Sequence, residues 1–166
     1  DVWKHTVSAV KNTPADEIMR TTMLFHDIGK PMTVSTDAQG HCHFHGHPKL
    51  SAEIASTILK RLKYSSAFIS NVKLLIEYHD IRFKPEPVII KKYLRKIGVE
   101  NMRKLLVIQR ADILAQSFYK REEKLSTLDA VCVEFERIIN SDECYSLDAL
   151  NINGKDILHR GATKGE

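Results

Sequence analysis

Apolar residues recur at helical spacing along most of this chain, and that periodicity limits the possible folds more than any other feature. In the first segment, residues 2–11, the apolar side chains Val2, Trp3, Val7 and Val10 share one side of a helix. Further segments of the same kind cover about 15–29, 48–62, 68–78, 88–97, 99–115 and 125–139. The pattern predicts an all-α domain, folded as a helical bundle.

Residues 32–46 depart from this period. Two short runs flank the turn-forming stretch Asp37-Ala38-Gln39-Gly40, which predicts a small hairpin or loop excursion between the second and third helices.

We expect one domain over residues 1–146. Residues 147–166 would be the start of a C-terminal helical segment, and that segment is too short to bury a core of its own. Because the chain begins without methionine, we also expect an excised domain or a processed chain.

Composition excludes little. Lys plus Arg exceed Asp plus Glu by 25 − 21 = 4, which is compatible with phosphorylated ligands or nucleic acid but requires neither. The odd number of cysteines, 3, favours reduced thiols and a cytoplasmic location. No apolar run approaches the roughly 18 residues needed to span a bilayer, so no membrane partner is expected. No feature predicts an oligomeric state.

The histidines are the main indication of a functional site, since 6 of the 8 are concentrated before residue 48. His26 and Asp27 are neighbours near the expected end of the second helix, and imidazole nitrogen with carboxylate oxygen suits a divalent cation. Lys30 follows where it could contact an anionic substrate oxygen. A His–Asp pair taken alone is more often a surface or capping pair.

Asp112 strengthens the metal hypothesis. It interrupts a strongly apolar helix, where a carboxylate is costly unless it is paired or bound to metal. The other explanation turns it to solvent beside Arg110 or Gln116. Further histidines recur at the edges of predicted helices, and each has an ordinary explanation, but together they favour a shared site: His5, His47 and His79.

The run 41–47 contains four histidines at alternating positions, which on a strand would share one face and could bind zinc. Cys42 would point to the other face, and no second cysteine pair completes a structural zinc pattern. We therefore favour one or two of these histidines joining the main site, with the rest at the surface.

These residues resemble a known family, the HD superfamily of phosphohydrolases. The likeness is greatest to the HD domain of bacterial tRNA nucleotidyltransferases, the CCA-adding and poly(A) polymerase family. It rests on "DVWKHT" at 1–6, "LFHDIGKP" at 24–31, "HFHGHPKLSA" at 43–52, "EYHD" at 77–80, "RADILAQS" at 110–117 and "LNINGKDIL" at 150–158. His45 departs from the tyrosine common in relatives. Nothing resembles the nucleotidyltransferase palm, so we do not expect this chain to add nucleotides.

The resemblance implies a ligand set. His5, His26, Asp27 and Asp112 would hold one divalent ion, and Asp27 would bridge to a second ion held by His47 and His79. Mn, Ni, Fe, Co, Zn and Mg are not distinguished. The implied activity is hydrolysis of phosphomonoesters or phosphodiesters, including 2′,3′-cyclic nucleotides and 3′-phosphate ends. Among the catalytic candidates, Asp27 bridges, Lys30 contacts the anion (Arg110 more weakly), and His47 or His79, if not a ligand, acts as general acid.

Two other functions stay open. The domain could bind metal without catalysis and position tRNA within a longer protein, through Lys60, Lys63, Lys91, Lys92 and Lys96. It could instead hydrolyse a free or signalling nucleotide. For the lysines, we favour the simpler explanation of an ordinary solvated helix face.

Overall fold

The computed structural model describes residues 2–141, and the expected all-α fold is confirmed. The helices are α1 (Val2–Asn12), α2 (Glu17–Phe25), α3 (Lys30–Thr33), α4 (His47–Arg61), α5 (Ser66–Tyr78), α6 (Pro87–Ala115) and α7 (Arg121–Asn140). Two short strands, β1 (Ser35–Thr36) and β2 (Cys42–His43), lie between α3 and α4. The proposed boundary at residue 146 and the tail 147–166 lie outside the described residues.

Local side chains explain where several helices begin. The Asp16 carboxylate accepts a hydrogen bond from the Met19 amide at 2.8 Å and caps α2, and the Ser65 hydroxyl accepts from the Phe68 amide at 3.2 Å and caps α5. Proline occupies the first turn of both α4 and α6, where the missing N–H is not needed. The predicted helices therefore start within a few residues of the observed ones.

The two helices predicted for 88–97 and 99–115 are the two halves of α6. Gly98, between them, has φ 76° and ψ 166°, a conformation that glycine adopts without steric cost. The chain changes direction there, and the second half carries Asp112 into the centre of the bundle.

The region after α2 differs in part from the prediction. The second helix ends at Phe25 instead of reaching residue 29, and α3, which was not predicted, starts a new turn around Pro31. The expected hairpin is present, with Ser35 opposite His43 in antiparallel pairing. Its second strand covers only Cys42–His43, and His47 is the first residue of α4. The four-histidine strand that a zinc clip required does not form.

The hydrophobic core surrounds α6. Met102, Leu105 and Ile108 from α6 pack with side chains from α2, α5 and α7, and a smaller cluster joins α4 to α5 through residues such as Leu59 and Ile76. This packing brings α1, α2, α4, α5 and the second half of α6 together at one place. Among the described helices, none is long and apolar enough to cross a membrane.

Candidate metal centre

Six of the side chains predicted from the sequence lie together where these helices meet. All except the half-buried His5 are buried: His5 on α1, His26 and Asp27 directly after α2, His47 at the start of α4, His79 at the end of α5 and Asp112 in the last turn of α6. The doublet thus lies in the turn that follows α2, one step beyond its expected position within the helix.

Three of the imidazole rings are held in the same way by the backbone. Their Nδ1 atoms lie at hydrogen-bond distance from the carbonyl oxygen three residues earlier, 2.7 Å for His26, 2.9 Å for His47 and 2.7 Å for His79. A carbonyl oxygen only accepts, so Nδ1 carries the proton and donates it. In its neutral form each ring then presents the Nε2 lone pair to the centre of the cluster, which is how metal-binding histidines are usually oriented.

The first group of ligand atoms joins α1 to the turn after α2. His5 Nε2 lies 3.2 Å from His26 Nε2, and His26 Nε2 lies 3.2 Å from Asp27 Oδ2. Asp112 Oδ1 is 2.9 Å from His5 Nε2 and 3.6 Å from His26 Nε2. Two ring nitrogens facing each other at this distance repel unless a proton or a cation lies between them. His5, His26 and Asp27 keep their ligand atoms within 4.8 Å of one another, and Asp112 lies beside the two rings.

The second group lies on the other side of Asp27. His47 Nε2 and His79 Nε2 are 3.4 Å apart, and they lie 3.3 Å and 3.7 Å from Asp27 Oδ1. That oxygen is buried and has no hydrogen-bond partner within the described part of the chain. Because a buried, unpaired carboxylate oxygen is costly, a cation beside Oδ1 would remove the penalty. Asp27 offers one oxygen to each group. Within each group of three, the ligand atoms lie within 4.8 Å of one another: Asp27 with His5 and His26, and Asp27 with His47 and His79.

The charges within the protein point the same way. Burial disfavours an imidazolium, yet hydrogen bonds to Asp112 and Asp27 outweigh it and raise the pKa of His26 to about 9. Burial likewise opposes ionisation of Asp27 and Asp112, but contacts from the histidines, chiefly His26, hold the pKa of both carboxyls well below the usual range. The carboxylates thus stabilise positive charge where the ligand atoms converge, and a divalent cation fits this donor set.

Of the two cations considered for substrate contact, only Lys30 lies at the cluster. Its Nζ is 2.6 Å from Asp27 Oδ2 and 5.7 Å from the centre of the Phe44 ring. Arg110 pairs with Asp129 on α7, and this contact raises the pKa of the guanidinium. The contacts described for Arg110 are with α7, and its weaker assignment as an anion contact stays a prediction.

Sequence reasoning missed Arg82 and Gln109. Arg82 follows α5, and its guanidinium lies 3.7 Å from Asp112 Oδ2. The buried amide of Gln109 donates to the carbonyl oxygens of His79, at 3.1 Å, and Ile81, at 2.7 Å, which fixes the turn carrying His79. A signal for Gln109 was available, because it is a polar residue one turn before Asp112 in the same apolar helix. Gln116, considered only as a solvent-side neighbour, donates to Asp112 Oδ2 at 2.8 Å.

Gly29 allows the turn after α2 to approach α4. Its amide donates to Ser51 Oγ at 2.9 Å, and a β-carbon at this position would lie 3.0 Å from the His47 carbonyl oxygen and from Ser51 N and Oγ. A side chain here would therefore require its neighbours to move by a few tenths of an ångström, although φ at −82° is in the ordinary range. The close contact keeps Asp27 beside His47.

Comparison with known proteins agrees with this arrangement. The family model of the HD domain matches residues 8–131, which is most of the chain. The chain belongs to the HD domain family. HD domains bind divalent metals, and the ligand groups above could hold such an ion. His5 precedes the matched range, so its place in the cluster rests on the geometry alone.

Two curated relatives are tRNA nucleotidyltransferases. An A-adding tRNA nucleotidyltransferase from Deinococcus radiodurans is 30% identical over 102 residues, 58% of this chain and 24% of the relative. A CC-adding tRNA nucleotidyltransferase from Thermus thermophilus is 32% identical over 126 residues, 72% of this chain and 29% of the relative. The stretches they share with this chain thus make up about a quarter of their length.

Proposed function

We propose that this HD domain is a metal-dependent phosphohydrolase acting on nucleotide phosphomonoesters or phosphodiesters, such as 2′,3′-cyclic nucleotides or 3′-phosphate ends. The observation that carries the proposal is the position of Asp27 between two groups of imidazole nitrogens, with one oxygen directed at each group. A carboxylate between two ligand groups is the arrangement that a pair of hydrolytic metal ions needs.

In this proposal His5, His26, Asp27 and Asp112 hold one ion, and Asp27 with His47 and His79 holds the other. A bound divalent ion supplies a Lewis acid that polarises a phosphoryl oxygen and lowers the pKa of water from 15.7 toward about 7. If only the first ion bound, His47 or His79 carrying a second proton on Nε2 would give that proton to the leaving oxygen and return to the neutral ring.

The cations of the chain position the substrate. Lys30 reaches the cluster at Asp27, and its side chain keeps 25% of its surface exposed, so Nζ can turn toward a phosphate oxygen. Arg82 is a second candidate, because its half-exposed guanidinium, which contacts Asp80 at 3.1 Å, also lies 3.7 Å from Asp112. Each offers charge-assisted hydrogen bonds to a phosphate that enters from solvent.

A second candidate is a non-catalytic domain that binds metal and positions tRNA, in keeping with the tRNA substrates that the names of the two relatives state. One observation favours it: Lys60, Lys63 and Lys73 line a cavity of about 480 Å³ where α4 meets α5. Such a basic surface would contact phosphates in a strongly salt-dependent way. Both candidates are consistent with a cytoplasmic protein.

Asp27→Asn, compared with Asp37→Asn, separates these functions. Asp37 also contacts histidines, but on the hairpin, so it is a matched control. With 2′,3′-cyclic AMP as substrate, we expect Asp27→Asn to lose at least about 100-fold in metal-dependent turnover, since even outer-shell partners of ligands contribute 10- to 100-fold. Asp37→Asn should keep the rate of the parent chain. Circular dichroism checks that both variants remain helical.

Elemental analysis of the parent chain completes the experiment. One or two equivalents of metal with turnover supports the hydrolase. Metal without turnover on cyclic nucleotides or 3′-phosphate ends supports the tRNA-positioning domain. Equal turnover in Asp27→Asn and the parent chain contradicts the proposed site.

A further inference from the structure

An apolar cleft of about 410 Å³ shares Asp27 with the metal centre. Its wall is otherwise built mainly from large apolar side chains of α1, α2 and the turn before α3: Trp3, Leu24, Phe25, Ile28 and Pro31. The volume lies within the range of about 300–1,000 Å³ that is common for small-molecule sites. The cleft thus adjoins the ligand set that the proposed hydrolysis uses.

Trp3 is the feature of the cleft that most needs an explanation. Its side chain is 66% exposed, although a large aromatic ring gains most by being covered. Trp3 and His5 are two residues apart on α1, so their side chains leave the helix in different directions, and Asp27 is the residue that joins the cleft to the cluster. A flat ring at the edge of an apolar cleft is a suitable surface for stacking another flat ring.

The distribution of charge shows which part of a substrate each region suits. Lys30 lies on the side of Asp27 that belongs to the cluster, and the described lining of the cleft contains no lysine or arginine. A phosphate is therefore favoured at the metal centre, and an uncharged ring is favoured in the cleft.

We propose that the cleft binds the nucleobase of the substrate and that the Trp3 ring stacks on it while the phosphate lies at the metal centre. This inference rests on the proposed function, because it names the class of phosphate ester that the same site takes. Trp3 is then a residue that determines specificity for nucleotides over sugar phosphates.

Another cavity, of about 300 Å³, is the competing location for a base. Its lining includes Arg82, Lys120, Lys124 and the acidic Glu123 besides polar and apolar residues, and none of the six clustered side chains contributes to it. Three cations against one carboxylate suit an anionic group better than a base. The cleft beside Asp27 is the better match.

The chain contains a single tryptophan, so its intrinsic fluorescence reports directly on the cleft. We expect AMP to quench the fluorescence of Trp3 in a saturable way, because stacking brings the base against the indole. Ribose 5-phosphate has the sugar and the phosphate without the base, so it should leave the emission unchanged. Neither measurement requires turnover.

Variants of Trp3 test the energetic contribution of stacking by calorimetric titration with AMP. Trp3→Ala should weaken AMP binding at least about fivefold, the lower end of the range for base–aromatic stacking. Trp3→Phe keeps a stacking ring and should stay within about threefold of the parent chain. Tyr119→Ala removes another exposed aromatic ring, outside the described lining of the cleft, and should not change AMP binding.

The outcomes separate this inference from the proposed function. If the protein never hydrolyses a phosphate ester but AMP still quenches Trp3 and Trp3→Ala weakens binding, the cleft assignment stands and the hydrolase is rejected. If hydrolysis occurs but Trp3→Ala binds AMP as tightly as the parent chain does, the cleft assignment is wrong and the hydrolase stands. Equal quenching by ribose 5-phosphate would also overturn it.

Discussion

The metal centre and the hairpin before α4 both contain histidines close to aspartate, yet they present them differently. In the centre, backbone carbonyl groups hold the Nδ1 atoms of His26, His47 and His79, and the Nε2 atoms point inward. On the hairpin, His41 and His43 both contact the same Asp37 oxygen, at 3.3 Å and 2.9 Å, with side chains 74% and 42% exposed.

This difference shows what turns histidines into a candidate metal site. The hairpin has the denser run of histidines along the chain, but its rings are exposed and oriented by one carboxylate that they share. In the centre, the rings come from separate helices, backbone carbonyl groups orient them, and two buried carboxylates, Asp27 and Asp112, lie beside them. Burial and fixed orientation reduce the entropy lost on binding an ion, so they matter more than the number of imidazoles.

Removing one imidazole from each region is the strongest test of whether the centre, and not the hairpin, binds metal. His26→Ala should lower affinity for a divalent ion at least about 100-fold. It deletes a buried ligand, and removing even a side chain that only contacts a ligand lowers metal affinity 10- to 100-fold. His43→Ala, its matched control on the hairpin, should keep the affinity of the parent chain. Calorimetric titration with Mn²⁺ and with Zn²⁺ measures both.

The result that would reverse the comparison is a larger loss in His43→Ala than in His26→Ala. Thermal unfolding gives a second readout, since an ion at 100 times its dissociation constant stabilises the folded state by about 2.7 kcal/mol. That stabilisation should persist in His43→Ala and disappear in His26→Ala.

Much of the fold was accessible from the sequence, because apolar periodicity records which face of each helix is buried. The hairpin and the break at Gly98 were also accessible, through turn residues and glycine. The turn after α2 was not, because the helical pattern continues past Phe25 while the chain leaves the helix to bring Asp27 beside α4. The departure is accompanied by close contacts of Gly29 with His47 and Ser51, and such contacts leave no periodic signal in the sequence.

The candidate site shows a similar division. Its six clustered side chains were recognised by their types and by resemblance, and the structure brings them together. Arg110 was considered because it lies near a motif residue, and Arg82 was overlooked. In the structure Asp129 on α7 engages Arg110, while the Arg82 guanidinium lies 3.1 Å from Asp80 and 3.7 Å from Asp112. Pairing across distant segments depends on packing that one sequence does not reveal.

A smaller effect is expected from adding a methyl group to a glycine in each region. In Gly29→Ala the new β-carbon meets the backbone of α4 at 3.0 Å, so the turn must shift, with a cost of about 1–3 kcal/mol. The shift moves Asp27 relative to His47 and should weaken divalent-ion binding about tenfold, as measured by calorimetry.

Gly40→Ala is the matched control on the hairpin. Its β-carbon would meet nothing within 4 Å, but the φ of +85° makes alanine strained there. We expect some loss of thermal stability with unchanged metal affinity. A tenfold loss of affinity in Gly40→Ala would show that the hairpin is coupled to the centre.

The smallest expected effect is a change in the titration of Asp37, which tests how strongly the hairpin holds its histidines. The hydrogen bond from His43, followed by backbone amides of His41 and Gln39, holds the pKa of this carboxyl below its ordinary value of 3.8. A lowered carboxyl pKa stabilises the folded hairpin above that ordinary value, and the contribution is lost as pH falls through the folded-state pKa. In His43→Ala the pKa should rise toward 3.8, as measured by carboxyl NMR, while the metal affinity stays unchanged. If the pKa does not move, the hairpin rings are not held by Asp37, and exposure alone separates them from the rings of the centre.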